Sequence, residues 1–124
     1  MKFFTIAELC KSTTADRLGI NNRCRQEHVT ALTALVDNVL DPLREWWGKP
    51  ITVNSGYRCP ELNAAVKGSK TSQHMVGEAA DIDTGDRQQN KLLFEYIRKN
   101  LPYDQLIDEL SLIHISEPTR LGMI

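Results

Sequence analysis

The segment from Ser72 to Asp81, Ser-Gln-His-Met-Val-Gly-Glu-Ala-Ala-Asp, constrains this chain more than any other stretch. It carries a histidine and an aspartate separated by a glycine and two alanines. If the chain turns at Gly77 and then runs extended, His74 and Asp81 face one point, and the small alanines leave room for that approach. An imidazole and a carboxylate are ordinary zinc ligands, and a third protein ligand completes a catalytic type of site with one open position.

His114 is the candidate for the third ligand. The chain has three histidines, and His28 lies among polar neighbours near the start of a predicted helix, where we expect a surface residue. A mixed nitrogen and oxygen site suits a single Zn²⁺ ion, although affinity order alone does not exclude other divalent metals. The alternative is that His74 is a loop histidine and Asp81 a carboxylate that binds backbone.

The same motif carries a family resemblance. Together with the preceding Asn-Ser-Gly-Tyr-Arg-x-Pro-x-Leu-Asn and a later histidine, it resembles the M15 zinc peptidases. These are D-Ala-D-Ala carboxypeptidases and phage L-Ala-D-Glu endopeptidases that cut peptidoglycan peptides. The similarity runs from about residue 4 to residue 109, with His114 beyond it. It implies a zinc peptidase that hydrolyses peptidoglycan stem peptides by metal-activated water, with His74, Asp81 and His114 as ligands.

The resemblance also implies substrate-binding residues. Arg58 resembles the arginine that these enzymes use to hold a substrate carboxylate or carbonyl, and a guanidinium matches a carboxylate in two places. The alternative is an ordinary surface arginine after a turn. Ser72 either hydrogen-bonds the substrate or the metal shell, or only caps a turn.

The general base of the family is usually an acid shortly before the last histidine. Glu109 corresponds to it best, and Asp108 is the rival. If residues 105–116 formed one unbroken strand, Glu109 and His114 would point to opposite faces, whereas Asp108 and His114 would share a face. Glu109 therefore requires a turn or bulge at about residues 110–111.

Composition limits the class of protein. A chain of 124 residues with 41% hydrophobic and 25% charged residues predicts one globular domain, residues 1–124. Its net charge of −1 gives no basic field that would favour a nucleic acid or an anionic membrane as partner. The family resemblance implies a peptidoglycan peptide as the partner, and we expect a monomer.

The first residues bear on localisation. Glu8 and Lys11 interrupt the opening apolar residues before they reach the length of a signal-peptide core. We therefore expect synthesis in the cytoplasm, with release to the cell wall by a phage lysis system.

The cysteines predict free thiols. Cys10, Cys24 and Cys59 are an odd number without Cys-x-x-Cys spacing, which argues against a disulfide framework or a thiolate metal site. We expect all three to be buried as small hydrophobic side chains.

Hydrophobic periodicity predicts an α+β fold in which helices pack on a small, mainly antiparallel sheet. Pro42 predicts a kink or break near residues 40–41, with Asp41 as the cap of a second helix. Leu92 is expected in the buried stripe of the last helix. Helices are predicted over 5–12, 26–47, 60–66 and 86–100, and strands over 51–53, 79–83 and from 105 onward.

The C-terminal segment departs from the family pattern. Residues 110–124 match it little beyond a His-x-Ser core, and the string resembles a translated sequencing adapter, which predicts a non-native tail. Two alternatives to the peptidase therefore stand. One is a non-catalytic domain that binds cell-wall peptides or a phage structural partner, and the other is an inactive truncated or chimeric homologue.

Overall fold

A computed structural model describes residues 2–117. Residues 118–124, which belong to the predicted non-native tail, lie outside the described residues. None of the helices described is long and apolar enough to cross a membrane. The elements in chain order are α1 (Ile6–Cys10), α2 (Thr13–Leu18), α3 (Gln26–Leu35), a π-helical turn (Val36–Leu40), α4 (Asp41–Trp47), β1 (Thr52–Ser55), α5 (Pro60–Ala65), a 3₁₀ turn (Gln73–Val76), β2 (Ala79–Asp83), α6 (Arg87–Asn100), β3 (Leu106–Asp108) and β4 (Ile113–Ser116).

The strands form one four-stranded sheet in the order β1-β2-β4-β3. Every neighbouring pair is antiparallel, which confirms the predicted α+β class. Because β4 pairs with both β2 and β3, residues 113–116 form an internal strand of the sheet. This part of the predicted tail is therefore integral to the fold.

The two faces of the sheet have different surroundings. Ala80 and Ile82 of β2 are fully buried against the helices, whereas Asp81 between them faces the other way, as the alternation predicts. The core between helices and sheet consists largely of aliphatic side chains. Its largest fully buried members are Leu9, Leu32, Leu35, Val36, Val39, Leu40, Leu43, Ile82, Leu93, Ile97, Ile113 and Ile115.

The chain stays helical through Pro42. A π-helical turn over Val36–Leu40 leads directly into α4, where the proline occupies the first turn and its missing N–H costs little. The carboxylate of Asp41 accepts hydrogen bonds from the backbone N–H groups of Lys2 and Phe3, so it ties down the N-terminal segment. The predicted break is therefore absent, and Leu40, rather than Asp41, is the cap. The π-helical turn that ends at Leu40 is nevertheless a local departure from α-helical geometry at the predicted place.

Two further helix predictions need correction. The short helix α2, capped by the Ser12 hydroxyl on the N–H of Ala15, was not predicted because six residues carry too little periodicity. Leu92 is 58% exposed instead of buried. The buried side of α6 contains Leu93 and Ile97, which are four positions apart and therefore lie on one face of the helix. Leu92 immediately precedes Leu93, so its side chain points away from that face.

Cys10 and Cys24 form a disulfide, so the prediction of free thiols is wrong for these two residues. Cys59 is free, as predicted. The disulfide joins the end of α1 to the segment before α3, and the Asn22 side chain lies beside it, donating to the carbonyls of Cys10 and Tyr57 at 2.9 Å each. This contact is tertiary, and the cysteine spacing carries no sign of it.

Replacing both Cys10 and Cys24 with serine should lower the free energy of unfolding by about 2–4 kcal/mol, because a cross-link restricts the unfolded chain. Urea denaturation without reductant measures the difference. Cys59→Ser is the matched control, since serine also caps the start of α5. Equal stability of the double variant and the non-reduced wild type would contradict the disulfide.

Candidate metal centre

One row of side chains crosses the sheet on the face away from the helices. Asp81 of β2 lies directly opposite His114 of β4, and His114 lies directly opposite Ile107 of β3. On the other side of β2, Ser55 of β1 lies opposite Asp81. Residues opposite each other in an antiparallel ladder point to the same face. The sheet register alone therefore brings Asp81 and His114 side by side.

His74 reaches this row from a tight turn. The hydroxyl of Ser72 accepts from the N–H of His74 at 3.2 Å, which caps the 3₁₀ turn Gln73–Val76. Gly77 ends the turn with φ 78°, so the predicted change of direction at this glycine is confirmed. A side chain at Gly77 would also lie 2.9 Å from the carbonyl oxygen of His28. Glycine is therefore required here by both conformation and space.

The orientation of the His74 ring leaves one nitrogen without a partner. The ring is buried, with 2% of the residue exposed, and Nδ1 lies 2.7 Å from the carbonyl oxygen of Gly56. Because a carbonyl only accepts, Nδ1 carries the proton and Nε2 carries the lone pair. Within residues 2–117, Nε2 is buried and has no hydrogen-bond partner. Its neighbour at 3.4 Å is Oδ1 of Asp81, another electron-rich atom, so the pair calls for a cation between them.

The three predicted ligands come together at this point. Nδ1 of His114 lies 2.8 Å from Oδ1 of Asp81, and the ring centres of His74 and His114 are 5.1 Å apart. One ligand atom from each residue lies within 4.8 Å of the others. Ligands held about 2.0–2.2 Å from a tetrahedral zinc ion are separated by about 3.4 Å. The donor set and its unpartnered buried nitrogen therefore fit zinc, and the ligand roles stay a prediction.

The charge of Asp81 is set by its neighbours. Burial alone would raise the pKa of Asp81, but the hydrogen bond with Nδ1 of His114 is the largest of the contacts that together outweigh burial and hold this pKa well below its usual value. The second oxygen, Oδ2, lies 3.7 Å from Nη2 of Arg58. Burial lowers the pKa of Arg58, and the charge of Asp81 opposes that effect. Asp81 is therefore an ionised carboxylate at neutral pH.

Arg58 is held in place beside the cluster. Its Nε donates to the Ser55 hydroxyl at 3.1 Å, its Nη1 donates to Oδ1 of Asn63 at 3.0 Å, and its backbone N–H donates to the carbonyl of His74. A shift of the β1–β2 pairing between Val53 and Ser55 turns the Ser55 side chain toward this face. With 14% of its side chain exposed, Arg58 is not the ordinary surface arginine of the alternative interpretation.

These side chains line one cleft of about 710 Å³. The cleft contains the three predicted ligands together with Arg58, Ser72 and Glu109. Its walls therefore combine a cationic group, an acidic group and the cluster of predicted metal ligands.

The connection between β3 and β4 bears on the choice of general base. The chain makes the turn that Glu109 required, with Leu110 at φ 68°, before it returns as β4. Because Ile107 lies opposite His114, Glu109 two residues further on shares that face and lines the cleft. Asp108 is not among the residues that line the cleft, and its Oδ1 accepts from the N–H of Leu110. The geometry favours Glu109 over Asp108.

His28 lies outside the cluster, as expected, but it is not a surface residue. Its ring stacks on Tyr57 with the ring centres 4.5 Å apart, and 14% of its side chain is exposed. Its Nδ1 accepts from the N–H of Arg25 and so helps to cap α3. The predicted exposure of His28 is wrong because packing against Tyr57 is a tertiary contact.

Two comparisons with known proteins bear on this site. The sequence model of the family described as Peptidase M15 matches residues 2–116. This chain belongs to the Peptidase M15 family. A relative, the zinc D-Ala-D-Ala carboxypeptidase of Streptomyces albus G, is 38% identical over 76 residues, which are 53% of this chain and 30% of that protein. The chain therefore spans less than a third of that relative's length. The match of the family model confirms the resemblance that the motif carries.

Several residues in or beside the cleft of this M15 domain were not predicted as part of the site. Asp104 and Gly68 line the cleft, and the buried Asn63 binds Arg58. Asn63 stands in the Leu-Asn pair at the end of the stretch that resembles the family, which was the available signal. Gly68 and Asp104 carry no local signal, because their position depends on how the loops fold over the sheet.

Replacing His74 or His114 with alanine in the M15 domain should weaken zinc binding by at least about 100-fold. Removing a residue that only hydrogen-bonds to a metal ligand already weakens binding by up to about 100-fold, and removing the ligand itself should cost more. Competition with a chromophoric chelator measures the affinity. His28→Gln is the matched control, because His28 lies outside the cluster. Unchanged zinc affinity in His114→Ala would exclude this residue as a ligand.

Proposed function

We propose that this domain is a zinc-dependent peptidase that hydrolyses peptidoglycan stem peptides, of the D-Ala-D-Ala carboxypeptidase or the L-Ala-D-Glu endopeptidase type. The observation that carries the proposal is the cluster of His74, Asp81 and His114, with the buried unpartnered Nε2 of His74, at the floor of a cleft. Membership of the Peptidase M15 family and the likeness to a zinc D-Ala-D-Ala carboxypeptidase support it.

His74, Asp81 and His114 would hold one zinc ion. Such an ion supplies Lewis acidity, which activates a water molecule and polarises a peptide carbonyl. Asp81 brings one negative charge to the site, and Gly56 fixes the ring of His74 through Nδ1, so that its Nε2 faces the cluster. The burial of His74 keeps the lone pair of Nε2 away from competing hydrogen bonds to bulk water.

Glu109 is the proposed general base. Its carboxylate lines the cleft and would take a proton from the attacking water. The protonated carboxyl group would then give this proton to the leaving amine, which balances the transfer. Ser72 retains a hydroxyl proton beyond its capping bond to His74, and that proton is available to a substrate carbonyl.

Arg58 is the proposed anchor of the substrate. Its guanidinium is held by Ser55 and Asn63 and lies beside Asp81, so it meets a substrate carboxylate in one fixed orientation. Fixing the peptide in this way places its carbonyl against the metal site, which raises the rate by proximity and orientation.

We further infer that the domain works at the cell wall as a monomer and reaches it through a phage lysis system. The disulfide between Cys10 and Cys24 favours work outside the reducing cytoplasm. The resemblance of the motif to phage endopeptidases supports a lytic role.

The direct test is mass spectrometry of purified peptidoglycan fragments after incubation with the zinc-loaded protein. We expect products shortened by a terminal D-alanine or cut between L-alanine and D-glutamate, and the two masses identify the bond. The matched control is the same protein after chelation. Intact fragments in the presence of bound zinc would favour a non-catalytic domain that binds cell-wall peptides.

Glu109→Gln should lower kcat by about 10²- to 10⁴-fold, because the amide cannot accept the proton from water. Zinc affinity should stay unchanged, which separates loss of the base from loss of the metal. Asp108→Asn is the matched control and should keep wild-type kcat, since asparagine preserves the acceptor for Leu110. A large loss in Asp108→Asn with normal kcat in Glu109→Gln would reverse the assignment.

Arg58→Lys should raise KM by about tenfold, because lysine keeps the positive charge but loses the planar fork that binds a carboxylate at two points. Steady-state kinetics on a peptide with a free carboxylate measures this effect. The same peptide with an amide in place of the carboxylate should show little difference between the two proteins. Equal KM values on the free acid would contradict the anchoring role.

A further inference from the structure

The buried amide of Asn63 joins Arg58 to the loop that precedes His74. Asn63 is 3% exposed; its Oδ1 accepts from Nη1 of Arg58 at 3.0 Å, and its Nδ2 donates to the carbonyl of Ser69 at 2.9 Å. An arginine N–H only donates and a carbonyl oxygen only accepts, so both ends of the amide have assigned roles. No other orientation of this amide satisfies both partners.

The backbone of Asn63 strengthens the same connection. Its N–H donates to the carbonyl of Cys59, next to Arg58, and its carbonyl accepts from the N–H of Gly68 at 2.8 Å. The residue therefore holds α5, Arg58 and the start of the loop together. Movement of the Asn63 side chain would disturb both walls of the cleft.

Gly68 packs directly on this pair. A Cβ atom at position 68 would lie 2.1 Å from Oδ1 of Asn63 and 2.7 Å from Nη1 of Arg58. Both distances are far below van der Waals contact, so any side chain here would displace the hydrogen bond. Because glycine has no side chain, the loop backbone can pack directly against the hydrogen bond between Asn63 and Arg58.

We propose that Asn63, packed under Gly68, is the positioning residue that sets the guanidinium of Arg58 toward the substrate. This inference rests on the proposed function, in which Arg58 binds a substrate carboxylate. Ser55 fixes Nε and Asn63 fixes Nη1, so rotation of the guanidinium about its last bonds is prevented before substrate arrives. Binding then costs less conformational entropy, because the donors already have their bound orientation.

Kinetics of a double-mutant cycle test the proposal. We compare the wild type, Asn63→Ala, Arg58→Ala and the double variant on a peptide with a free carboxylate. Asn63→Ala should raise KM by about tenfold, because Arg58 loses the hydrogen bond that holds its guanidinium in one orientation. The change in kcat should be smaller. In the Arg58→Ala background the same change should leave KM nearly unaltered. Effects of Asn63→Ala that multiply those of Arg58→Ala would overturn the proposal.

A second measurement does not depend on catalysis. In the wild type, the side-chain Nε–H signal of ¹⁵N-labelled Arg58 should be resolved and slow to exchange with water, because the group donates to Ser55 and the side chain is largely buried. Asn63→Ala should accelerate this exchange at least about tenfold. An unchanged exchange rate in a folded Asn63→Ala protein would overturn the proposal.

Two variants keep the test decisive. Asn90→Ala removes another buried asparagine, which binds Thr84 and the carbonyl of Leu110, so it controls for general destabilisation and should leave Arg58 exchange unchanged. If Asn63→Ala does not fold, Gly68→Ala serves instead and should accelerate exchange in the same way. A protein that cleaves no peptide yet shows this exchange pattern would refute the proposed function and support the Asn63 assignment.

Discussion

The pairing of β2 with β4 is the constraint on which the candidate site depends. Asp81 and His114 are distant in sequence, and the antiparallel register places them directly opposite each other on one face of the sheet. A shift by one residue would turn one of these side chains into the core, where Ile113 and Ile115 now pack. The burial of the isoleucines therefore fixes the register, and the register fixes the cluster. Core packing and the geometry of the site are two results of the same alternation.

Asp81 is the electrostatic centre of the cleft. Two imidazoles approach its Oδ1 and a guanidinium approaches its Oδ2. A carboxylate in such surroundings remains ionised despite its burial, because the favourable contacts exceed the cost of desolvation. The buried Nε2 of His74 has no partner among the described residues, which is costly in a protein without a ligand. The polar side of the sheet therefore offers a site that fits a zinc cation.

The cleft is built from segments that pack on one another as well as on the sheet. The 3₁₀ turn brings His74 to the β2 face, and α5 with its following loop brings Asn63 and Gly68 against Arg58. Backbone hydrogen bonds, such as the one from Arg58 to the carbonyl of His74, connect the two segments. The predicted metal ligand His74 and the proposed substrate anchor Arg58 are thus coupled through short covalent and hydrogen-bonded paths. This coupling keeps their separation fixed, which the proposed peptide hydrolysis would require.

The sequence by itself determined the α+β class, the turn at Gly77 and the candidate residues His74, Asp81, His114 and Arg58. The class depends on local periodicity, the turn on a glycine, and the candidate residues on the motif, its family resemblance and the small number of histidines. Tertiary structure decided what local patterns do not encode. It decided the disulfide between Cys10 and Cys24, the stacking of His28 on Tyr57, and the place of Glu109 rather than Asp108 in the cleft. The physical reason is the same in each case: these contacts depend on which segments the folded core brings together, and sequence spacing does not specify that.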